Sequence, residues 1–302
     1  MFAFGDSLID NGNNNNLPSF AKANYYPYGI DFAAAAPPGG SPMATPLLMR
    51  LLPAKIQLHG VNYASPAAGI LDITGRNFVG RIPFNEQIKN FEMTLDRHHR
   101  RPGADARRGR HRALHLLRGM GKEQRLPQQL SHAQLRHRSR YNGEQFAELL
   151  VQQFARQLTS LYNLGARNWW CVRGWVAMGC IPSMLARDPH SRCSPDVDRQ
   201  LILLPSTPKV RSRSVNDLNV NLPHAKLIYV DIYAMFTDIL TSPASYGFSV
   251  TDRACCGIGQ NAGEITAAVN IILAKQAFYG SPNVVFPINI LQLANLELDP
   301  KP

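Results

Sequence analysis

No run of the 302 residues approaches the roughly 18 consecutive apolar side chains that a membrane-spanning helix requires, so no transmembrane segment is expected. Met1 lies three residues ahead of Phe4, where the first motif begins, and a signal peptide before that motif is not expected either. Cysteine is scarce: Cys171, Cys180, Cys193, Cys255 and Cys256 are an odd set whose spacings supply no two well-placed pairs, so no metal site is expected. Acidic residues are short by 11 against basic ones, which would suggest a polyanionic partner if the imbalance were spread along the chain. It is not spread. Residues 97 to 140 hold 13 Lys or Arg against two acids, while the rest of the chain carries 19 of each sign. That tract also has no Phe, Tyr or Trp on which a base could stack, and no nucleic-acid partner is expected.

What the chain does have is core. Hydrophobic residues make up 45% of it, enough at this length for one α/β domain spanning residues 1–302. Between Tyr141 and Gly165, Phe146, Leu149, Leu150, Phe154, Leu158 and Leu161 recur at helical spacing, with Asn142 placed to cap the start and Gly165 to end it. A helix-like stretch also covers Asn85 to Leu95. The run Leu227-Ile228-Tyr229-Val230 reads as a buried parallel strand, followed by a helix to Leu240, and Val269 to Phe278 reads as a further helix closed by Gly280. Trp169 and Trp170 fall where a strand is expected. Strands alternating with helices predict a mostly parallel sheet covered on both faces, with its active site at the carboxyl ends of strands. Three stretches, 33–53, 102–140 and 203–215, follow neither period and read as loops or insertions.

Phe4-Gly5-Asp6-Ser7-Leu8-Ile9-Asp10-Asn11-Gly12-Asn13-Asn14 carries a serine from a short apolar start into a polar turn, the place for a nucleophile beside backbone N–H groups able to stabilise an oxyanion. Asp6 and Asp10 are expected to order the turn rather than to titrate in catalysis. The string closely resembles the first signature block of the plant GDSL lipases and esterases, a branch of the SGNH hydrolases. Val61-Asn62-Tyr63-Ala64-Ser65-Pro66-Ala67-Ala68-Gly69 resembles the second block, although Pro66 has no N–H to offer. The resemblance implies a three-layer α/β/α sandwich of the flavodoxin-like type and hydrolysis of a small-molecule ester or lipid without a cofactor. It makes Ser7 the nucleophile and places the oxyanion donors at Ser7 and Ala67. It also implies an exported protein; with no export signal in the chain, Cys180 and Cys193 are expected as free thiols.

Other parts of the resembled pattern are displaced or missing. Gly40 to Leu51, written in suitable synonymous codons and read from the third nucleotide, gives Phe-Ser-Asn-Gly-Tyr-Thr-Ile-Ala-Asp-Glu-Ile, the segment that comes after the first block in the family. Glu123 to His137, likewise written in suitable codons but read from the second nucleotide, gives Ser-Asn-Asp-Tyr-Leu-Asn-Asn-Tyr-Leu-Met-Pro-Asn-Tyr-Ala-Thr, the third block, and Leu114 to Arg118 in the same shifted frame conceals Tyr-Ile-Phe-Phe-Val, the strand before it. The basic tract then reads as out-of-frame translation, with a charged segment where a buried strand should be. Beyond Cys255-Cys256-Gly257-Ile258-Gly259, the family's Asp-x-x-His-Pro segment is skipped, since Gly263-Glu264-Ile265-Thr266 runs straight into Ala267-Ala268-Val269-Asn270. Asp96-Arg97-His98-His99 is the sole Asp-x-x-His of the chain and lies out of order, so His99 is not expected to act as a base. The expectation is a GDSL-type ester hydrolase by descent that is weak or inactive. The alternatives are a non-catalytic relative or decayed gene product and, more remotely, a basic polyanion-binding module.

Overall fold

The structure is a computed structural model that describes residues 2–7, 9–10, 12–22, 24, 61–99, 114–118, 143–173, 208–249 and 267–296. Cys180, Cys193, Cys255, Cys256, Asn142, the stretch 33–53 and the displaced third block lie outside these residues. Six strands form one sheet in the order β2-β1-β3-β4-β5-β6: β1 (Phe2–Phe4), β2 (Val61–Asn62), β3 (Leu114–Arg118), β4 (Asn168–Arg173), β5 (Lys226–Asp231) and β6 (Val285–Phe286). The first five are parallel and β6 is antiparallel to β5. Among the described residues six helices accompany them: α1 (Phe84–His99), α2 (Gly143–Asn163), α3 (Pro208–Asn221), α4 (Ile232–Thr241), α5 (Ala267–Tyr279) and α6 (Ile290–Asn295).

Strand β5 shows why the fold has helices on both sides. Its side chains alternate across the sheet, and from Leu227 to Val230 both sets are apolar and buried. Leu227 and Tyr229 pack with Phe84, Phe91, Leu158, Leu161 and Trp169 on the α1, α2 and α3 side. Ile228 and Val230 pack with Met235, Phe236, Phe278, Ile290 and Leu293 on the α4, α5 and α6 side. A strand with no polar face has to be covered twice.

The expected elements appear with their ends adjusted by a few residues. Helix α2 occupies Gly143–Asn163 and buries Leu150, Leu158 and Leu161, with Phe154 packed against the core. Asp231, which ends the apolar run of β5, caps α4 by accepting the Ala234 N–H at 3.1 Å. Trp169 is wholly buried in β4; Trp170 is also in β4, with its side chain outside the described set.

Two expectations are corrected. Leu114–Arg118, within the basic tract read as lacking regular structure, forms a central strand whose register pairs Ala3 with Leu116 on one side and Leu116 with Trp170 on the other. Three leucines in five residues give that segment enough apolar character to be drawn between two strands, and the hydrogen bonds gained on both edges do not depend on side-chain identity. Within 203–215, residues from Pro208 onward belong to α3, with Pro at its first position, where its missing N–H is not needed. Val215 and Leu218 reach the core, and the Asn219 carboxamide both donates to Leu227 O and accepts from Leu227 N, fastening α3 along β5. The periodicity of that helix is faint because few of its residues are apolar.

Candidate active site

Ser7 comes after β1 at its carboxyl end. In the parallel order 2-1-3-4-5 the connections leave β1 in one direction and return on its other side, so the crevice between β1 and β3 is the topological switch point at which ligands bind in such sheets. No helix starts at Ser7. The chain instead enters a turn in which Asp6 O accepts from Ile9 N at 3.4 Å and from Asp10 N at 3.2 Å, with Ser7 half-buried at its second position.

The turn is held from below by Gly5. Phe4 anchors the strand end, its ring buried against Tyr63 at 5.1 Å, Phe91 at 5.5 Å and Phe84 at 6.2 Å. The buried Gln87 carboxamide accepts from Gly5 N at 3.0 Å and donates to Gly5 O at 2.9 Å and to Ile82 O at 2.9 Å. Gly5 O also accepts from Ser65 N at 3.0 Å. Ser7 and Ala67 therefore each stand two residues beyond a hydrogen-bonded pair, Gly5 and Ser65, which brings the two sequence blocks together.

Asparagines complete the joint. Asn14 is fully buried. Its Nδ2 donates to Pro66 O at 3.1 Å and Ala21 O at 3.1 Å, while its Oδ1 accepts the Ser65 hydroxyl at 2.6 Å. Ser65 Oγ in turn accepts from Ile82 N at 2.9 Å. Asn13 Nδ2 donates to Asn62 O and Ala64 O at 3.0 and 2.7 Å, and Asn62 Nδ2 donates back to Ile9 O. Ala67 has a φ of 65°, unusual for a residue with a Cβ, and its carbonyl faces Gly75 so closely that a Cβ built there would sit 1.9 Å from Ala67 O. Gly75 is thus required by the second block.

Asp10 is buried, with its two carboxylate oxygens accepting from Gly12 N and Asn13 N, both at 2.9 Å. Burial pushes its carboxyl up to about 6, against those two N–H groups, which pull it down. Its bonds are those of a residue that orders a turn, as expected. His99 is the last residue of α1, and Asp96 is exposed on that helix. Twelve residues, about 18 Å of helix axis, separate His99 from Gln87. Among the described residues no three His, Cys, Asp or Glu gather as a metal site, and no helix is long and apolar enough to cross a membrane.

Gln87, Asn13, Asn14 and Asn62 carry structural roles that the sequence pattern does not mark outright. Gln87 has a signal, since it interrupts the apolar stripe Phe84, Ile88, Phe91, Leu95 on the buried face of α1. The asparagine run has none beyond its composition.

The family profile described as GDSL-like Lipase/Acylhydrolase matches residues 1–282. Among curated proteins, the chain is similar to GDSL esterase/lipase At1g71691 of Arabidopsis thaliana, 46% identical over 98% of this chain and 85% of the relative. It is also similar to GDSL esterase/lipase 7, 34% identical over 98% and 92%, and to GDSL esterase/lipase At1g29670, 35% identical over 98% and 91%, both of the same plant. The match to the first of these runs over 338 aligned positions against a chain of 302 residues, so at least 36 positions inside the match have no residue here.

Proposed function

The chain belongs to the GDSL-like lipase/acylhydrolase family, and from that premise we propose that its inherited chemistry is hydrolysis of an ester or lipid with Ser7 as nucleophile, and that this copy performs it weakly or not at all. The α/β arrangement is read as the three-layer sandwich of the SGNH hydrolases, one domain over residues 1–302 with atypical stretches at 33–53, 102–140 and 203–215. Ser7 and Ala67 would supply backbone N–H groups to the oxyanion. The joint through Gly5, Gln87, Ser65 and Asn14 supports that reading, because it fixes the two turns relative to each other before a substrate arrives.

The observation that carries the loss of activity lies in the sequence. No histidine follows His224, and the stretch in which the family keeps its orienting Asp and its basic His is skipped between Thr266 and Ala267. A serine hydroxyl is almost wholly un-ionised at neutral pH and needs a base to take its proton. Losing the base of such a triad costs about 10⁶ in turnover, or about 8 kcal/mol. A second reading, a non-catalytic relative or the product of a decayed gene, rests on the same observation.

The test is hydrolysis of a p-nitrophenyl ester by the purified chain and by Ser7→Ala. Equal background rates are expected. A Ser7-dependent rate of roughly 1 s⁻¹ or more, ordinary for an enzyme, would overturn the loss of function and leave an unrecognised base to be found. The coding DNA tests the cause: codons for residues 123–137 that do not yield the Ser-Asn-Asp string in a shifted frame exclude the frameshift.

A further inference from the structure

Next to the Ser7 turn the chain exposes apolar side chains on a ledge with a rigid backbone. Ser19 and Val79 form an antiparallel bridge, Phe20 N donates to Phe78 O at 3.1 Å and Gly80 N to Pro18 O at 2.8 Å, and Ser19 Oγ donates to Phe78 O at 3.2 Å. The approach is close enough that a Cβ on Gly80 would lie 2.9 Å from Pro18 O. On this ledge Phe20 is 81% exposed and Val79 54%, with Pro18 exposed beside them. Val79 holds φ 67° and ψ −102°, a conformation that a β-branched residue adopts only at a cost. The ledge is tied to the candidate site, since Asn14 Nδ2 donates to Ala21 O while its Oδ1 takes the Ser65 hydroxyl.

Two cations stand close to the ledge along the chain. Lys22 stands two residues after Phe20, and the exposed Arg76 opens the short 3-10 helix (Arg76–Phe78) that leads into Val79. Neither is in an ion pair among the described residues. Arg81 is turned inward, its guanidinium donating to the carbonyls of Thr74 and Asp72, and the Asp72 carboxylate accepts from Asn85. Exposed apolar side chains with cations a few residues away in the chain match a surface of acyl chains under anionic headgroups.

We propose that Phe20 and Val79, flanked by Lys22 and Arg76, form an adsorption ledge that inserts into an anionic lipid surface beside the Ser7 turn. The choice of occupant rests on the ester-hydrolase descent proposed above, but adsorption needs no turnover, so each can fail without the other.

The experiment is co-sedimentation of the full chain with vesicles of equal parts phosphatidylcholine and phosphatidylglycerol. Wild type and Ser7→Ala are expected to pellet alike, and Phe20→Ser/Val79→Ser to bind about tenfold or more weakly, the loss expected from withdrawing one to two apolar side chains from lipid. The variant Phe20→Leu/Val79→Ile keeps the apolar surface and is expected to bind as wild type, which separates lost contact from lost folding. Phe20→Trp is expected to show a blue-shifted emission relative to wild type when vesicles are added. Failure of wild type to pellet, equal binding by the double serine variant, or no emission shift in the Phe20→Trp variant overturns the proposal; the second of these outcomes would assign binding to the basic tract at residues 97–140.

Discussion

Gln87 sits 82 residues from Gly5 in the chain, yet its carboxamide satisfies that glycine's buried N–H. Gln87→Leu keeps the bulk and removes the acceptor, leaving a buried donor without a partner at a cost of about 1–3 kcal/mol. Urea denaturation of the variant should show that loss; a change under about 0.5 kcal/mol would mean that the clamp is not real. Asp10 carries a pH dependence. Its folded pKa, about 6, lies above the ordinary carboxylate value, so the folded state binds the proton more tightly than the unfolded chain does. The sign is then fixed: its contribution to stability is fully present below about pH 4 and is lost as pH rises through 6, by roughly 2–3 kcal/mol. Asp10→Asn does not titrate. Unfolding measured from about pH 4 to about pH 7.5 should find wild type losing stability relative to this variant over that window, and parallel curves would refute the assignment.

At the scale of elements, β3 is the informative case. A tract with 13 basic residues reads as a loop, but Leu114–Arg118 is hydrogen-bonded on both edges. Backbone pairing predicts slow amide exchange for residues 114–118 and faster exchange for the two-residue edge strand β2. Exchange of the 114–118 amides on the timescale of a free peptide would show that the strand does not form. Helices α2, α4 and α5 are legible in the sequence because α2 repeats apolar residues along one face, α4 directly succeeds a buried strand, and α5 is apolar almost throughout and closed by Gly280. Helix α3 is not, since few of its residues are apolar. The clamp and the asparagine joint are not legible either: they link positions about 50 to 80 residues apart, and no local period encodes such a pairing.

For the molecule as a whole, the sheet divides the apolar interior in two. Ile88 belongs to the layer of α1, α2 and α3, and Ile239 to that of α4, α5 and α6. Ile88→Val and Ile239→Val should each cost about 0.5–1.5 kcal/mol. With a sheet between them, their effects should add within about 0.5 kcal/mol, measured by denaturant unfolding of the single and double variants. Strong non-additivity would indicate one continuous core.

The family, the serine of its first signature block and the lack of any histidine after His224 are all written in the order of the residues. A signature block is a property of consecutive positions, and a histidine absent after residue 224 cannot be restored by any fold. The unbroken apolar run of β5 likewise demands helices on both faces of the sheet. The meeting of the first and second blocks at Gly5, the glutamine and asparagine that hold them there, and the central strand contributed by a basic tract belong to the folded chain alone. Each depends on hydrogen bonds between distant segments, which form wherever packing brings donor and acceptor together and leave no trace in local sequence.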